Sequence, residues 1–113
     1  MLLKKMLINT WAVAVGSKLQ NFGDHSKILK VSSIKSMIGH QMGAAGAVEF
    51  ISTIMSLHDG VLPSTINYEH PDPDCPLNYV TKGSVKKNID VALTNSFGFG
   101  GGNACLVVKK FQQ

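Results

Sequence analysis

The stretch AAGAVEFISTIMSLH, residues 44–58, constrains the fold more than any other part of the chain. Its polar residues are Glu49, Ser52, Thr53 and Ser56. That i, i+3, i+4, i+7 spacing puts them on one narrow stripe of an α-helix. The rest of the circumference is Ala, Val, Phe, Ile, Met and Leu. A helix apolar over most of its surface is buried on most sides. The spacing therefore predicts a helix from about Ala44 to His58, stopped by Gly60. Such a helix is not the surface helix of a small two-layer fold unless something else covers it.

The neighbouring segments place that helix in an α/β or α+β unit. Residues 28–35, ILKVSSIK, are rich in β-branched side chains and read as a strand. Residues 21–27 carry turn chemistry at Gly23 and Asp24. SMIGHQMG reads as the loop into the helix. Residues 61–78 form an extended loop, because Pro63, Pro71, Pro73 and Pro76 exclude a helix there. VTKGSVKKNI, residues 80–89, is polar and reads as exposed. DVALTNSF and NACLVVKKF read as strands joined across the glycine turn GFGGG, which suggests a hairpin. Residues 1–20 are apolar and basic without a clean period and fit a short helix or a strand. Their lysines and apolar run have a faint likeness to a secretory signal, but Asn9 and Thr10 interrupt the run. It is also too short to span a bilayer, so no membrane role is expected.

Length and charge bound the function classes. The 113 residues amount to one domain with a modest core. The net charge of +4 comes from scattered lysines without interleaved aromatics, which argues against nucleic acid. Cys75 and Cys105 are far apart and have no zinc-ligand spacing. They read as free thiols of a cytoplasmic protein, with one long-loop disulfide as the alternative. Nothing in the spacing calls for a metal or a cofactor.

Chemistry concentrates in KSMIGHQMGAAGAVE, residues 35–49. Gly39, Gly43 and Gly46 follow a strand and open a helix, the context of a dinucleotide loop. The spacing is not GxGxxG, and the acid about twenty residues on is Asp59, at the end of the helix itself. His40 stands between glycines, beside the unpaired N–H groups of a helix start. A neutral imidazole there can donate to a developing oxyanion, although a loop histidine is more often solvated. Glu49 lies inside a mostly apolar helix, where a carboxylate needs a partner, and Lys35 at the strand end is the natural one; the alternative is that each simply faces water. In NSFGFGGGN, Phe97 and Phe99 read either as core residues beside a strained turn or as an aromatic wall where backbone approaches a site. His25, His58 and His70 have nothing convergent nearby, and Cys75 has acidic neighbours that disfavour a nucleophilic thiolate.

Three blocks, VSSIKSMIGHQMGAAGAVEF, LPSTINYEHPDPDCPLNYV and ALTNSFGFGGGNACLVVKKF, resemble in order and spacing the C-terminal end of the β-ketoacyl-[acyl-carrier-protein] synthases of the type II class. The resemblance runs from about Asn21 to Phe111, which sets residues 1–20 apart as an unmatched segment and residues 21–113 as a partial synthase domain. It implies the thiolase fold, an α-β-α-β-α sandwich that acts as a homodimer, with only the last part present here. It implies decarboxylative condensation of acyl groups with malonyl thioesters carried on acyl carrier protein, in fatty acid elongation and without a cofactor. By motif position, His40 resembles the second histidine of the family, Lys35 the lysine that supports the histidine pair, and Glu49 its carboxylate partner. Phe99 resembles the gating phenylalanine, Phe97 lies beside it, and Gly98, Gly100 and Gly101 resemble the flexible backbone around it. Gly102 stands where many members have threonine.

The nucleophilic cysteine and the first histidine have no counterpart in the sequence. The resemblance therefore implies a piece of a condensing enzyme that is inactive alone. The alternative is a non-catalytic module that docks to carrier protein or to a full-length synthase.

Overall fold

The computed structural model describes residues 6–9 and 20–111. Strand β1 (Met6–Asn9) is followed by a 3-10 segment (Gln20–Lys27), β2 (Lys30–Ser32) and a one-turn helix α1 (Lys35–Ile38). A 3-10 turn (Met42–Ala44) leads into α2 (Ala45–Asp59). Four strands complete the chain: β3 (Val61–Leu62), β4 (Val85–Lys86), β5 (Val91–Phe97) and β6 (Asn103–Lys109).

One sheet runs in the order β2-β1-β5-β6, with β1 parallel to both neighbours and β6 antiparallel to β5. The expected hairpin is thus present, in the register Leu93 with Val107. Its turn is closed by the Gly98 N–H on the Gly102 carbonyl at 2.7 Å. Gly100 and Gly101 take φ of 83° and 87°, values open to glycine and strained for other residues. Within 1–20, residues 6–9 take the strand alternative and pair on both sides; the rest of the signal-like run lies outside the described residues.

Successive residues of β5 point to opposite faces, and both faces are covered. Val91 and Leu93 pack with Leu29 and Val31. Ala92 packs with Leu57 of α2, Leu62, Val80 and Ile89. A strand buried on both sides explains why Val91, Ala92, Leu93 and Thr94 are buried in succession.

Helix α2 lies within one residue of its expected limits, and Gly60 caps it in the left-handed region, with its N–H on the Ser56 carbonyl. Its burial reverses expectation. The buried residues are Ala45, Glu49, Thr53, Ser56 and Leu57, so most of the polar stripe faces inward. Ile51, Ile54 and Met55 are 60%, 40% and 51% exposed. Apart from Glu49 and Leu57, the inward face is made of small and hydroxylated residues, which let the helix approach β5 closely. A Cβ on Gly46 would stand 3.3 Å from Ser96 Oγ. The hydroxyls are satisfied within the helix: Thr53 donates to the Glu49 carbonyl at 2.8 Å and Ser56 to the Ser52 carbonyl at 2.9 Å. The layers expected on most sides of α2 are not found among the described residues.

Local expectations are corrected over residues 28–38, at 61–62, where the extended loop opens with β3, and over 80–89. The strand expected over 28–35 is limited to Lys30–Ser32, and Lys35–Ile38 is a turn of helix rather than loop. The stretch 80–89 is not wholly exposed, because Val80 and Ile89 enter the core and Val85–Lys86 pairs with β3. Both cysteines are free, Cys75 buried and Cys105 exposed, so the long-loop disulfide is ruled out.

Candidate functional site

Lys35 opens the single turn of α1, and Glu49 sits on the inward face of α2. The Lys35 ammonium and the Glu49 carboxylate form an ion pair, with side chains 13% and 3% exposed. Buried charge is tolerated when it is paired in this way. The two residues are 14 apart in sequence, and His40 lies on the segment that their pair closes.

Two backbone conformations shape the loop. Gly39 ends α1 with φ 76° and ψ 176°, a region that only glycine enters readily. Met42 takes φ 48°, uncommon for a residue with a Cβ, and its side chain is 80% exposed. Packing of the side chain therefore does not hold that conformation. Its backbone N–H donates to His40 Nδ1 at 3.1 Å. An accepting Nδ1 carries a lone pair, so the ring proton of the neutral imidazole resides on Nε2. His40 itself is exposed. The 3-10 turn stands between His40 and α2, so the N–H that meets the ring is the first of that turn rather than of the long helix.

The glycine hairpin divides its two phenylalanines. Phe97 packs against the cluster of Leu29, Val31, Val91 and Leu93, the core reading of its sequence position. Phe99 is fully exposed at the tip, between Gly98 and the left-handed Gly100 and Gly101. The close approach of Gly46 to Ser96 sets the first turn of α2 against the base of the hairpin. The structure thus brings Lys35 to Glu49, places His40 on the loop between them, and joins that loop to β5 one residue before Phe97.

His25, His58 and His70 are exposed, and His58 Nδ1 lies 2.6 Å from Asp59 Oδ1. Among the described residues no cluster of three or more His, Cys, Asp or Glu could hold a metal ion. No helix among them is long and apolar enough to cross a membrane. Two arrangements gave no signal in the sequence. Cys75 Sγ lies 2.9 Å from the Tyr79 hydroxyl, and burial, then that thiol, push the Tyr79 phenol above its ordinary range. Tyr79, Cys75, Tyr68 and Asp72 also line a hollow of about 440 Å³ in the proline loop that contains none of Lys35, His40 or Glu49.

Residues 13–69 match the family model of the beta-ketoacyl synthase C-terminal domain. The 3-oxoacyl-[acyl-carrier-protein] synthase 2 of Synechocystis sp. is 48% identical over 93 residues, 82% of this chain and 22% of its own length. Nodulation protein E of Rhizobium meliloti is 43% identical over 89 residues, 79% of this chain and 22% of its own length. The chain therefore spans about a fifth of the length of the curated relatives it matches. Among solved structures, a ketosynthase complexed with its type II PKS acyl-carrier protein superposes with a TM-score of 0.90 at 26% identity. That superposition covers 97% of this chain and 29% of the other. The ishigamide ketosynthase/chain length factor gives 0.86 at 29% identity, covering 96% of this chain and 28% of the other.

Proposed function

Because this chain belongs to the beta-ketoacyl synthase family, with the C-terminal part of its thiolase-like α/β fold, we propose that it supplies the oxyanion corner of a condensing site. In this reading His40 Nε2–H donates to the carbonyl of a malonyl thioester as CO2 leaves and negative charge develops on that oxygen. Lys35 and Glu49 hold the loop on which the ring sits. Phe99 and the glycines around it, Gly98, Gly100 and Gly101, form a mobile rim for the acyl chain, and Phe97 anchors that rim in the core. The reaction class is carbon–carbon bond formation in fatty acid elongation. The covalent step and the first histidine come from residues outside these 113. The partners are acyl and malonyl groups on acyl carrier protein and, for the complete enzyme, a second copy. No cofactor takes part, and the compartment is the cytoplasm.

The observation that carries the reading is the Met42 N–H on His40 Nδ1. With Nδ1 accepting, Nε2 is the ring nitrogen left to carry the hydrogen that an oxyanion donor needs.

The test grafts residues 21–111 of this chain into the Synechocystis relative in place of its matching segment. The chimera is expected to condense a malonyl-carrier substrate with an acyl primer. His40→Ala in the chimera is expected to slow decarboxylation by about 10²–10³, the usual loss for one oxyanion donor. A folded chimera whose rate is indifferent to His40→Ala would end the proposal. The 113-residue chain alone is expected to give no 3-oxoacyl product.

A further inference from the structure

Helix α1 cannot aim itself. It is four residues long, it has no side-chain cap at its start, and its N-cap residue is Ile34. A single turn has too few internal hydrogen bonds to be stable alone. Yet both Lys35 and, through Gly39, His40 take their direction from it.

The groups that hold it come from a strap at residues 63–66. Ser33 N–H donates to Thr65 Oγ1 at 2.9 Å. Ile66 N–H donates to Ser36 Oγ at 3.0 Å, and the same hydroxyl donates to the Ser33 carbonyl at 2.9 Å. The strap is itself fastened to the core: Thr65 N–H meets the carbonyl of buried Val80 at 2.7 Å, and Ser32 Oγ donates to the Pro63 carbonyl at 2.6 Å. Buried Ile34 at the start of α1 and the Lys35–Glu49 pair also tie the corner to the core, and the path through the strap runs by two side-chain hydroxyls, those of Thr65 and Ser36.

We infer that the hydroxyls of Thr65 and Ser36 are positioning groups for the condensing corner. They fix the direction of α1, and through it the aim of Lys35 at Glu49 and the ring orientation that lets Met42 N–H meet His40 Nδ1. This rests on the reading of His40 as oxyanion donor. The hydroxyls touch neither substrate nor the reacting atoms.

The test uses nitrogen NMR on the 113-residue chain and needs no acyl group. It reads the ring tautomer of His40 and the exchange of the Lys35 ammonium with water. Thr65→Val keeps the shape and removes the acceptor; Thr65→Ser keeps the hydroxyl; Ser36→Ala removes both of its hydrogen bonds. Thr65→Val is expected to give a mixed His40 tautomer and Lys35 exchange about tenfold faster, the factor that loss of one hydrogen bond can give. Thr65→Ser is expected to match the unchanged chain. Wild-type readouts in a folded Thr65→Val chain, or equal shifts in Thr65→Ser, overturn the inference. If Thr65→Val does not fold, Ser36→Ala decides by the same readouts; if neither folds, the hydroxyls hold the fold at large and the inference fails. A wild-type chain with the proton on Nδ1 would instead sink the oxyanion reading, and Lys35 exchange would still judge the strap.

Discussion

Along one side of α2 run Ala45, Glu49, Thr53 and Ser56, all buried; along the other run Ala47, Ile51, Ile54 and Met55, all exposed. Hydrophobic transfer alone would turn the helix about its axis. Full burial of an Ile or Met side chain is worth about 1.5–3 kcal/mol, and three large side chains face outward here. The observed rotation survives because the inward face makes contacts that an apolar face cannot. Glu49 finds Lys35, Gly46 lets the backbone approach Ser96, and Leu57 still reaches the core. The face that carries the charge of the candidate site is the face turned in. Specific pairing and close fit set the rotation, and the outward face has no cover among the described residues.

The largest effect that could break this comparison lies at the ion pair. Lys35→Met leaves a carboxylate 3% exposed without the ammonium opposite it. It is expected to lower stability by about 3–5 kcal/mol, the usual result of removing one member of a buried pair. The double variant Lys35→Met with Glu49→Leu is expected to recover much of that loss. Denaturant unfolding measures all three. A loss below about 1 kcal/mol would mean that the pair is solvated as surface pairs are, and that the inward rotation of Glu49 has another cause.

Next in size is the close approach. Gly46→Val would push a branched side chain into Ser96, whose Oγ already stands 3.3 Å from where a Cβ would be. A loss of about 1–3 kcal/mol is expected, as for other overpacked sites. Combination with Ser96→Gly should return part of it. A neutral Gly46→Val would show that α2 can lift away from β5, and that closeness is not what turns the small face inward.

How far all this can be read from the residues follows from the same contrast. The limits of α2 are legible because a polar stripe at i, i+3, i+4, i+7 and a terminal Gly60 are local signals. The β5–β6 hairpin is legible from its glycines, and the Lys35–Glu49 pair from the cost of an unpartnered carboxylate in an apolar helix. The rotation of α2 is not legible, since a pattern tells which sides are apolar and not which side the chain can reach. Ile89 stands alone in a polar stretch and has no period to betray its burial. The strap from Thr65 to Ser33 joins residues 32 apart through hydroxyls that could as well face water. The Met42 contact on His40 depends on a left-handed backbone at a residue that gives no hint of it.

A smaller effect, confined to alkaline solution, tests whether polar groups on the buried side of the molecule are as dry as Glu49 implies. Burial and the Cys75 thiol hold the Tyr79 proton more tightly in the folded chain than in the unfolded one. The phenol then contributes stability that is complete below about pH 10, the ordinary tyrosine value. That contribution declines as pH rises toward the folded value. Denaturation of the wild type is therefore expected to ease faster above pH 10 than that of Tyr79→Phe. Absorbance of tyrosinate should show the Tyr79 step displaced to higher pH. Parallel stability curves for the two chains would place Tyr79 in contact with water.

The smallest change in stability belongs to the outward face. Ile51→Lys with Met55→Lys alters two side chains already 60% and 51% exposed. Surface positions away from special contacts shift stability by no more than about 0.5 kcal/mol. The same pair of substitutions removes a contiguous apolar strip, and such strips drive association. Self-association on gel filtration and binding of a hydrophobic dye should therefore fall sharply while the unfolding midpoint barely moves. Were the double lysine variant to lose as much stability as Gly46→Val, the outward face would be packed in solution. The two sides of α2 would then differ in composition and not in burial.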